Sequence, residues 1–180
     1  MNKRLILLVP LACFLFVGAF FYTALFSDPR ELESALVGKP VPEFELPDLL
    51  NPSRQLTKQS FGEGHYLINV WATWCPTCRA EHEYLNKLAK LGVKIVGINY
   101  KDEPAKARVW LEQLGDPYVL NVQDYKGDLA IDLGVYGAPE TYVVDTNGII
   151  VYRHVGDVNE RVWRDKLAEK YREAGEVNEL

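Results

Sequence analysis

The sequence is poor in cysteine, in histidine and in clustered basic residues, and each shortage closes off a class of function. Of three cysteines in 180 residues, Cys13 stands inside an apolar run far from the others, which leaves one pair, Cys75 and Cys78. A secreted domain stapled by disulfides needs several pairs, so this is no such framework. Only His65, His82 and His154 accompany the pair, and a structural zinc site takes four ligands, usually with a second Cys pair. Lys and Arg number 20 against 25 Asp and Glu, for a formal net charge of −5. The first 27 residues carry Lys3 and Arg4 and no acid, so the remainder stands at −7. An acidic chain with scattered signs lacks the basic patch that nucleic acid requires. Repeats and low-complexity segments are absent too. With 48% apolar and 25% charged residues, the composition is that of an ordinary globular domain.

What the amino terminus does have is a long uncharged run. Lys3 and Arg4 precede Leu5 to Phe26, after which come Ser27-Asp28-Pro29. About 22 such residues suffice to cross about 30 Å of hydrocarbon as a helix. A cleaved signal peptide would show a shorter apolar region with a small-x-small site behind it. Bulky Phe20, Phe21, Tyr22, Leu25 and Phe26 offer no such site. The expectation is an uncleaved transmembrane anchor over 1–27, a linker over 28–37 and one domain over 38–180. Positive charges ahead of the anchor hold the amino end in the cytoplasm. In a Gram-negative bacterium the domain then faces the oxidising periplasm from the inner membrane.

Periodicity lays out that domain. Gly38 to Leu50 is rich in Pro and alternates through Val41, Phe44 and Leu46, which suits an edge strand, with Gln55-Leu56-Thr57 as its return. Tyr66 to Trp71 is a near-continuous apolar run, the mark of a central strand buried on both faces. Apolar positions Ala80, Tyr84, Leu85, Leu88 and Leu91 then recur at three and four, so Pro76 to Leu91 is a helix, followed by Gly92. Val93 to Tyr100 reads as a strand, Pro104 to Leu114 as a helix, Tyr118 to Val122 as a strand and Leu129 to Leu133 as a short helix. Thr141 to Val144 and Ile149 to Tyr152 flank Asp145-Thr146-Asn147-Gly148, a hairpin turn in which Asn-Gly accepts positive φ. Asn159 to Ala174 closes as a helix. This order gives an α/β class: a mixed sheet flanked by helices.

Cys75 and Cys78 fall where the buried strand meets the helix start. There, unpaired backbone N–H groups and the helix dipole stabilise a thiolate, the nucleophile of disulfide exchange. Cys78, one turn on, is placed to resolve a mixed disulfide. Pro76 costs little in the first turn, where its N–H would be unpaired anyway. Covalent haem attachment would need His directly after the second Cys, where Arg79 stands. A metal-binding chaperone using Cys75, Cys78 and His82 is the competing reading.

The segment Leu67-Ile68-Asn69-Val70-Trp71-Ala72-Thr73-Trp74-Cys75-Pro76-Thr77-Cys78-Arg79-Ala80-Glu81 resembles the active-site segment of the thioredoxin superfamily. Together with Gly134-Val135-Tyr136-Gly137-Ala138-Pro139-Glu140-Thr141 and Gly38-Lys39-Pro40-Val41-Pro42-Glu43-Phe44, it resembles the DsbE/CcmG branch that serves cytochrome c maturation. The likeness runs from about Gly38 to Lys170. It implies a thioredoxin-like fold with an N-terminal β-hairpin extension. It also implies Cys75 as the attacking, exposed sulfur, Cys78 as the buried resolving one, and Pro139 as the cis-proline beside them.

Asn69 stands where thioredoxins carry a buried Asp. Glu81 is then a candidate to move the proton of Cys78, with Glu140 a second; a solvated helix-surface acid is the alternative for Glu81. Trp74 offers cover for the site and apolar contact to a partner. A peroxidase is disfavoured, because its usual Thr falls at Ala72.

The resemblance implies a protein-disulfide reductase that needs no cofactor beyond its redox-active pair, and nothing in the sequence demands more than a monomer. It would act on the haem-attachment cysteines of apocytochrome c or on a maturation partner, with electrons from a DsbD-type membrane donor. An anchored reductase for other exported proteins is the rival.

Overall fold

A computed structural model describes residues 9–24 and 36–176 of the chain. Lys3, Arg4, residues 25–27 of the expected anchor and residues 28–35 of the expected linker lie outside the described residues. The chain divides into two compact units, Met1–Leu32 and Glu33–Leu180.

In the first unit the described helix is α1 (Val9–Ala24), with 16 residues. At 1.5 Å per residue that is about 24 Å, short of the hydrocarbon core. Among the described residues no helix is long and apolar enough to cross a membrane, which overturns the expected transmembrane helix. The expectation rests on Leu5 to Phe26, of which residues 5–8 and 25–26 lie outside the described residues.

The second unit is built around β3 (Tyr66–Trp71), all six of whose residues are buried. Its β-branched and aromatic side chains suit a position with packing on both faces. It lies at the centre of a five-stranded sheet in the order β5-β4-β3-β6-β7, comprising β4 (Ile95–Tyr100), β5 (Leu120–Asp124), β6 (Glu140–Val144) and β7 (Ile150–Val155). β3, β4 and β5 run parallel, while β6 is antiparallel to both β3 and β7. The parallel pairs are joined through α2 (Pro76–Lys90) and α3 (Pro104–Leu114), and α4 (Asp128–Asp132) leads from β5 toward β6. The carboxy-terminal helix runs through α5 (Glu160–Val162), a π-helical stretch Trp163–Leu167 and α6 (Ala168–Glu176).

Side chains alternate across each strand, so the sheet separates two cores. Leu67, Trp71, Ile95 and Val143 pack with Leu85 and Leu88 of α2, Trp110 and Leu111 of α3, and Leu167. Ile68, Val70, Val96, Ile98, Tyr142 and Val144 pack on the other face with Leu129, Leu133, Leu56 and Phe61. The expected amino-terminal hairpin forms from β1 (Leu46–Pro47) and β2 (Gln55–Leu56), paired Leu46 to Leu56. Each arm is two residues long, and Pro47 ends the first. The extended chain around this hairpin makes contact with both sheet edges, at Ile149 through Pro40 and at Val122 through Asp48. Both exposed rows of backbone groups are thereby partly occupied.

β5 starts two residues later than expected. Tyr118 is buried beside the sheet with its hydroxyl on Asn69, so it serves the core rather than the ladder.

Candidate active site

Cys75 is the N-cap of α2 and Pro76 its first residue. The two cysteines form a disulfide, and Cys75 Sγ accepts the backbone N–H of Cys78 at 3.1 Å. When the pair opens, that N–H and the helix dipole favour a thiolate on Cys75. Cys75 Sγ also lies 3.4 Å from the Ala138 carbonyl oxygen. Oxidised sulfur carries no proton, so this is a packing contact in the disulfide and a place for S–H···O only in the thiol. The Ala138–Pro139 peptide bond is cis. Cys75 is 4% exposed and Cys78 2%, so the expected contrast between an exposed and a buried sulfur is slight in the oxidised form. Covered on the Ala138 side, Cys75 offers little surface until a partner displaces or joins that cover.

On the α2 side of the sheet a row of polar and small residues crosses four strands. Asn69 is in register with Gly97 of β4 and Thr141 of β6, and Gly97 with Asn121 of β5. The Asn69 amide donates to Glu81 Oε1 at 2.9 Å and to Thr141 Oγ1 at 3.1 Å, and its oxygen accepts from the Tyr118 hydroxyl at 2.8 Å. Glu81 Oε2 accepts the Val158 backbone N–H at 2.8 Å. At 1% exposure Glu81 is no solvated surface acid. Burial pushes its carboxyl up to about 8, against the two hydrogen bonds that favour the ionised form, with a further upward push from Asp157. A buried acid that titrates near neutral pH, one turn after Cys78, is chemically able to hold or take a proton there.

Gly97 makes room for this arrangement. A Cβ at that position would overlap Asn121 Oδ1 and sit 2.9 Å from both Trp71 Nε1 and Tyr118 Cγ. The glycine lets the Tyr118 ring stack on Trp71, 5.6 Å between centroids, and reach Asn69.

His82 is buried, and both of its ring nitrogens are engaged. Nε2 meets the Gly115 carbonyl at 2.8 Å, and Nδ1 accepts from the Trp110 indole at 3.3 Å. That pattern defines a neutral ring with the proton on Nε2. Burial, more than any charge nearby, lowers its pKa. The Cys75, Cys78, His82 ligand set is therefore not assembled. Among the described residues, no group of three His, Cys, Asp or Glu side chains could hold a metal ion.

Glu140 has a different setting from Glu81. Fully buried, it receives Arg153 in two-point fashion, Nε to Oε2 and Nη2 to Oε1, each at 2.8 Å. The Tyr142 hydroxyl donates to Oε2 at 2.8 Å and the Tyr136 N–H to Oε1 at 2.9 Å. Arg153 also reaches the Gly134 carbonyl and lies 4.8 Å from the centroid of the exposed Tyr136 ring. This cluster ties the 134–139 loop, which carries Ala138 and Pro139, to β6 and β7. Sequence reading passed over Arg153, Tyr118 and Thr141. The one available signal was an Arg inside the otherwise apolar strand Ile150-Val151-Tyr152-Arg153. Trp74 is half-exposed, with its indole N–H on the Lys101 carbonyl at 3.0 Å.

A disulfide capping the first helix after a central strand, with a cis-proline peptide beside it, defines the thioredoxin-like thiol–disulfide oxidoreductases, and the Redoxin family model matches residues 36–171. The thiol:disulfide interchange protein DsbE of Vibrio cholerae is 55% identical over 176 residues, covering 95% of each chain. DsbE of Escherichia coli is 52% identical over 178 residues, covering 94% of this chain and 96% of its own. Among solved structures, a thio-disulfide isomerase from Thermus thermophilus superposes with a TM-score of 0.62 at 26% identity, over 77% of this chain and 96% of that one. A secreted thiol-disulfide isomerase from Corynebacterium glutamicum, at 24% identity and a TM-score of 0.57 over 71% of this chain and 83% of that one, shares the fold. The chain belongs to the DsbE family of thiol:disulfide interchange proteins. It is an oxidoreductase that works through the Cys75–Cys78 pair.

Proposed function

We propose that the chain acts as a reductant in cytochrome c maturation, in the periplasm and in association with the membrane. Its target is the disulfide between the haem-attachment cysteines of apocytochrome c, or a disulfide on a maturation partner. In this reading residues 38–180 are the catalytic domain, and 28–37 link it to the amino-terminal segment.

Cys75 thiolate attacks one sulfur of the target disulfide, forming a mixed disulfide and releasing the other target sulfur as a thiolate. Cys78, having given up its proton, attacks Cys75 Sγ. The target leaves as a dithiol with two electrons gained, and Cys75–Cys78 is left oxidised. Glu81 takes the proton of Cys78 in that second step. A DsbD-type membrane donor returns the two electrons. Trp74 supplies an apolar face to the partner, and Pro139 and Glu140 shape the loop along which an extended segment lies.

The observation that carries the reading is the disulfide at the α2 N-cap with a buried, near-neutral acid one turn beyond it. The test is the reduction potential of the pair, together with trapping by the Cys78→Ser variant. A potential near about −270 mV and a stable mixed disulfide with an oxidised Cys-x-x-Cys-His peptide support reduction. A potential near about −120 mV would make the protein an oxidant and reverse the direction.

A further inference from the structure

The four residues between β3 and α2, Ala72 to Cys75, carry the attacking sulfur, and two of them are gripped from outside. Asp102 lies in the turn between β4 and α3 and is 5% exposed. Its Oδ2 accepts the Thr73 N–H at 2.6 Å and the Asn99 amide at 3.0 Å. Its Oδ1 accepts the Thr73 hydroxyl at 2.6 Å and the Glu103 N–H at 2.8 Å. Both hydrogen-bonding donors of Thr73 are thus committed to one carboxylate, and bonds to an ionised acceptor are the strong ones. The next residue of the loop, Trp74, is held by the residue before Asp102, through its indole N–H on the Lys101 carbonyl at 3.0 Å.

Lys101 has a φ of 45°, the one non-glycine residue with positive φ among the described residues. The left-handed region is unfavourable for lysine and persists only where neighbours enforce it. Two neighbours do so. Lys101 N–H donates to the Asp124 carbonyl at 3.0 Å, and Gly127 packs so closely that a Cβ there would overlap Lys101 Cε and stand 2.7 Å from the Tyr100 ring. With its backbone held so, Lys101 presents its carbonyl to Trp74 while Asp102 faces Thr73. The half-exposed indole, its one polar atom engaged, then shows a fixed apolar face next to Cys75.

We propose that Lys101 and Asp102 are positioning residues for exchange with protein partners, clamping Thr73 and Trp74 so that Cys75 and the indole face meet an incoming segment in one arrangement. The inference rests on Cys75 being the attacking sulfur. The clamp leaves the electronics of the disulfide alone and acts on the geometry of approach, where small displacements carry large rate penalties.

The test uses the full chain carrying Asp102→Asn, Thr73→Val or Thr73→Ser. Three readouts apply: the rate with a small aromatic disulfide, the rate with an oxidised Cys-x-x-Cys-His peptide, and the solvent exchange of the Trp74 indole proton by NMR, assigned with Trp74→Phe. In the wild type the indole proton is protected despite its exposure. Asp102→Asn and Thr73→Val abolish that protection and slow the peptide reaction by about ten- to hundredfold, with the small-disulfide rate and the reduction potential unchanged. Thr73→Ser restores the peptide rate. An unprotected indole with an unchanged peptide rate overturns the proposal. So does an equal loss for both disulfides accompanied by a lower Tm, which is the mark of a structural role alone. Thr73→Val, a single lost hydroxyl, decides the matter if Asp102→Asn fails to fold. Activity that survives Cys75→Ser but not Cys78→Ser would instead overturn the assignment of the attacking sulfur.

Discussion

The Asn69 amide donates to Glu81 Oε1 at 2.9 Å, joining the central strand to the helix that starts at the disulfide. The pair is dry, with Asn69 at 0% and Glu81 at 1% exposure. Stability and chemistry here both turn on whether Glu81 carries a proton.

Glu81→Gln changes the pH dependence of folding. The native carboxyl titrates at about 8, against an ordinary value of 4.5, mainly because it is buried. Between those values the folded chain keeps a proton that the unfolded chain releases, so stability falls as pH rises through the window and levels off above it. The glutamine variant lacks this slope. Urea denaturation at pH 5 and at pH 8.5 measures it, with a difference on the order of a few kcal/mol in the wild type. In the same variant the rate of the resolving step loses its inflection near pH 8.

Asn69→Asp sets a second carboxylate against Glu81. Two acids at hydrogen-bond distance share one proton and resist losing it. The variant is about as stable as the wild type at pH 5 and less stable by about 2 kcal/mol or more at pH 8.5. Equal thermal midpoints at the two pH values would remove the basis for this expectation.

Arg153→Met leaves Glu140 buried without its cation, at a cost of about 3–5 kcal/mol in chemical denaturation. Joint replacement with Glu140→Gln recovers much of that loss, since the uncompensated charge is gone. Because Arg153 also holds the Gly134 carbonyl and the Tyr136 ring, the single variant loosens the 134–139 loop, read as faster amide exchange there.

Gly97→Ala drives a methyl group into Asn121, Trp71 and Tyr118. Overpacking of this kind costs about 1–3 kcal/mol. Displacing Tyr118 also removes its bond to Asn69, so the drop in Tm comes with a shift in the pH at which Glu81 titrates.

Much of this molecule was legible locally. The six apolar residues of β3, the three-and-four spacing of α2 and the proline one residue after Cys75 are short-range patterns that act within a turn or a strand. The amino-terminal helix shows the limit of such counting. The uncharged run of about 22 residues reads as a span, yet among the described residues no helix is long and apolar enough to cross a membrane.

Glu81 shows a different limit. Along the chain Arg79 and Glu83 stand two residues to either side of it, while Cys78 and Leu85 share its helix face, so the pattern leaves surface and core both open. Only packing of α2 on the β3–β6 register, with Val158 closing over the far oxygen, makes it a buried acid. Asp102 likewise reads as part of a charged turn, Lys101-Asp102-Glu103, until β4 brings that turn alongside Thr73.

By itself the sequence determined the reaction: two sulfurs three residues apart at a strand–helix junction, whose exchange chemistry is local to one helical turn. The tertiary structure alone decided the surroundings of that pair. It buried Glu81 against Asn69, committed Glu140 to Arg153 and His82 to Trp110, and placed Lys101 and Asp102 against the loop before Cys75. Those outcomes depend on strand register and on desolvation, and neither is written in the spacing of residues along a chain.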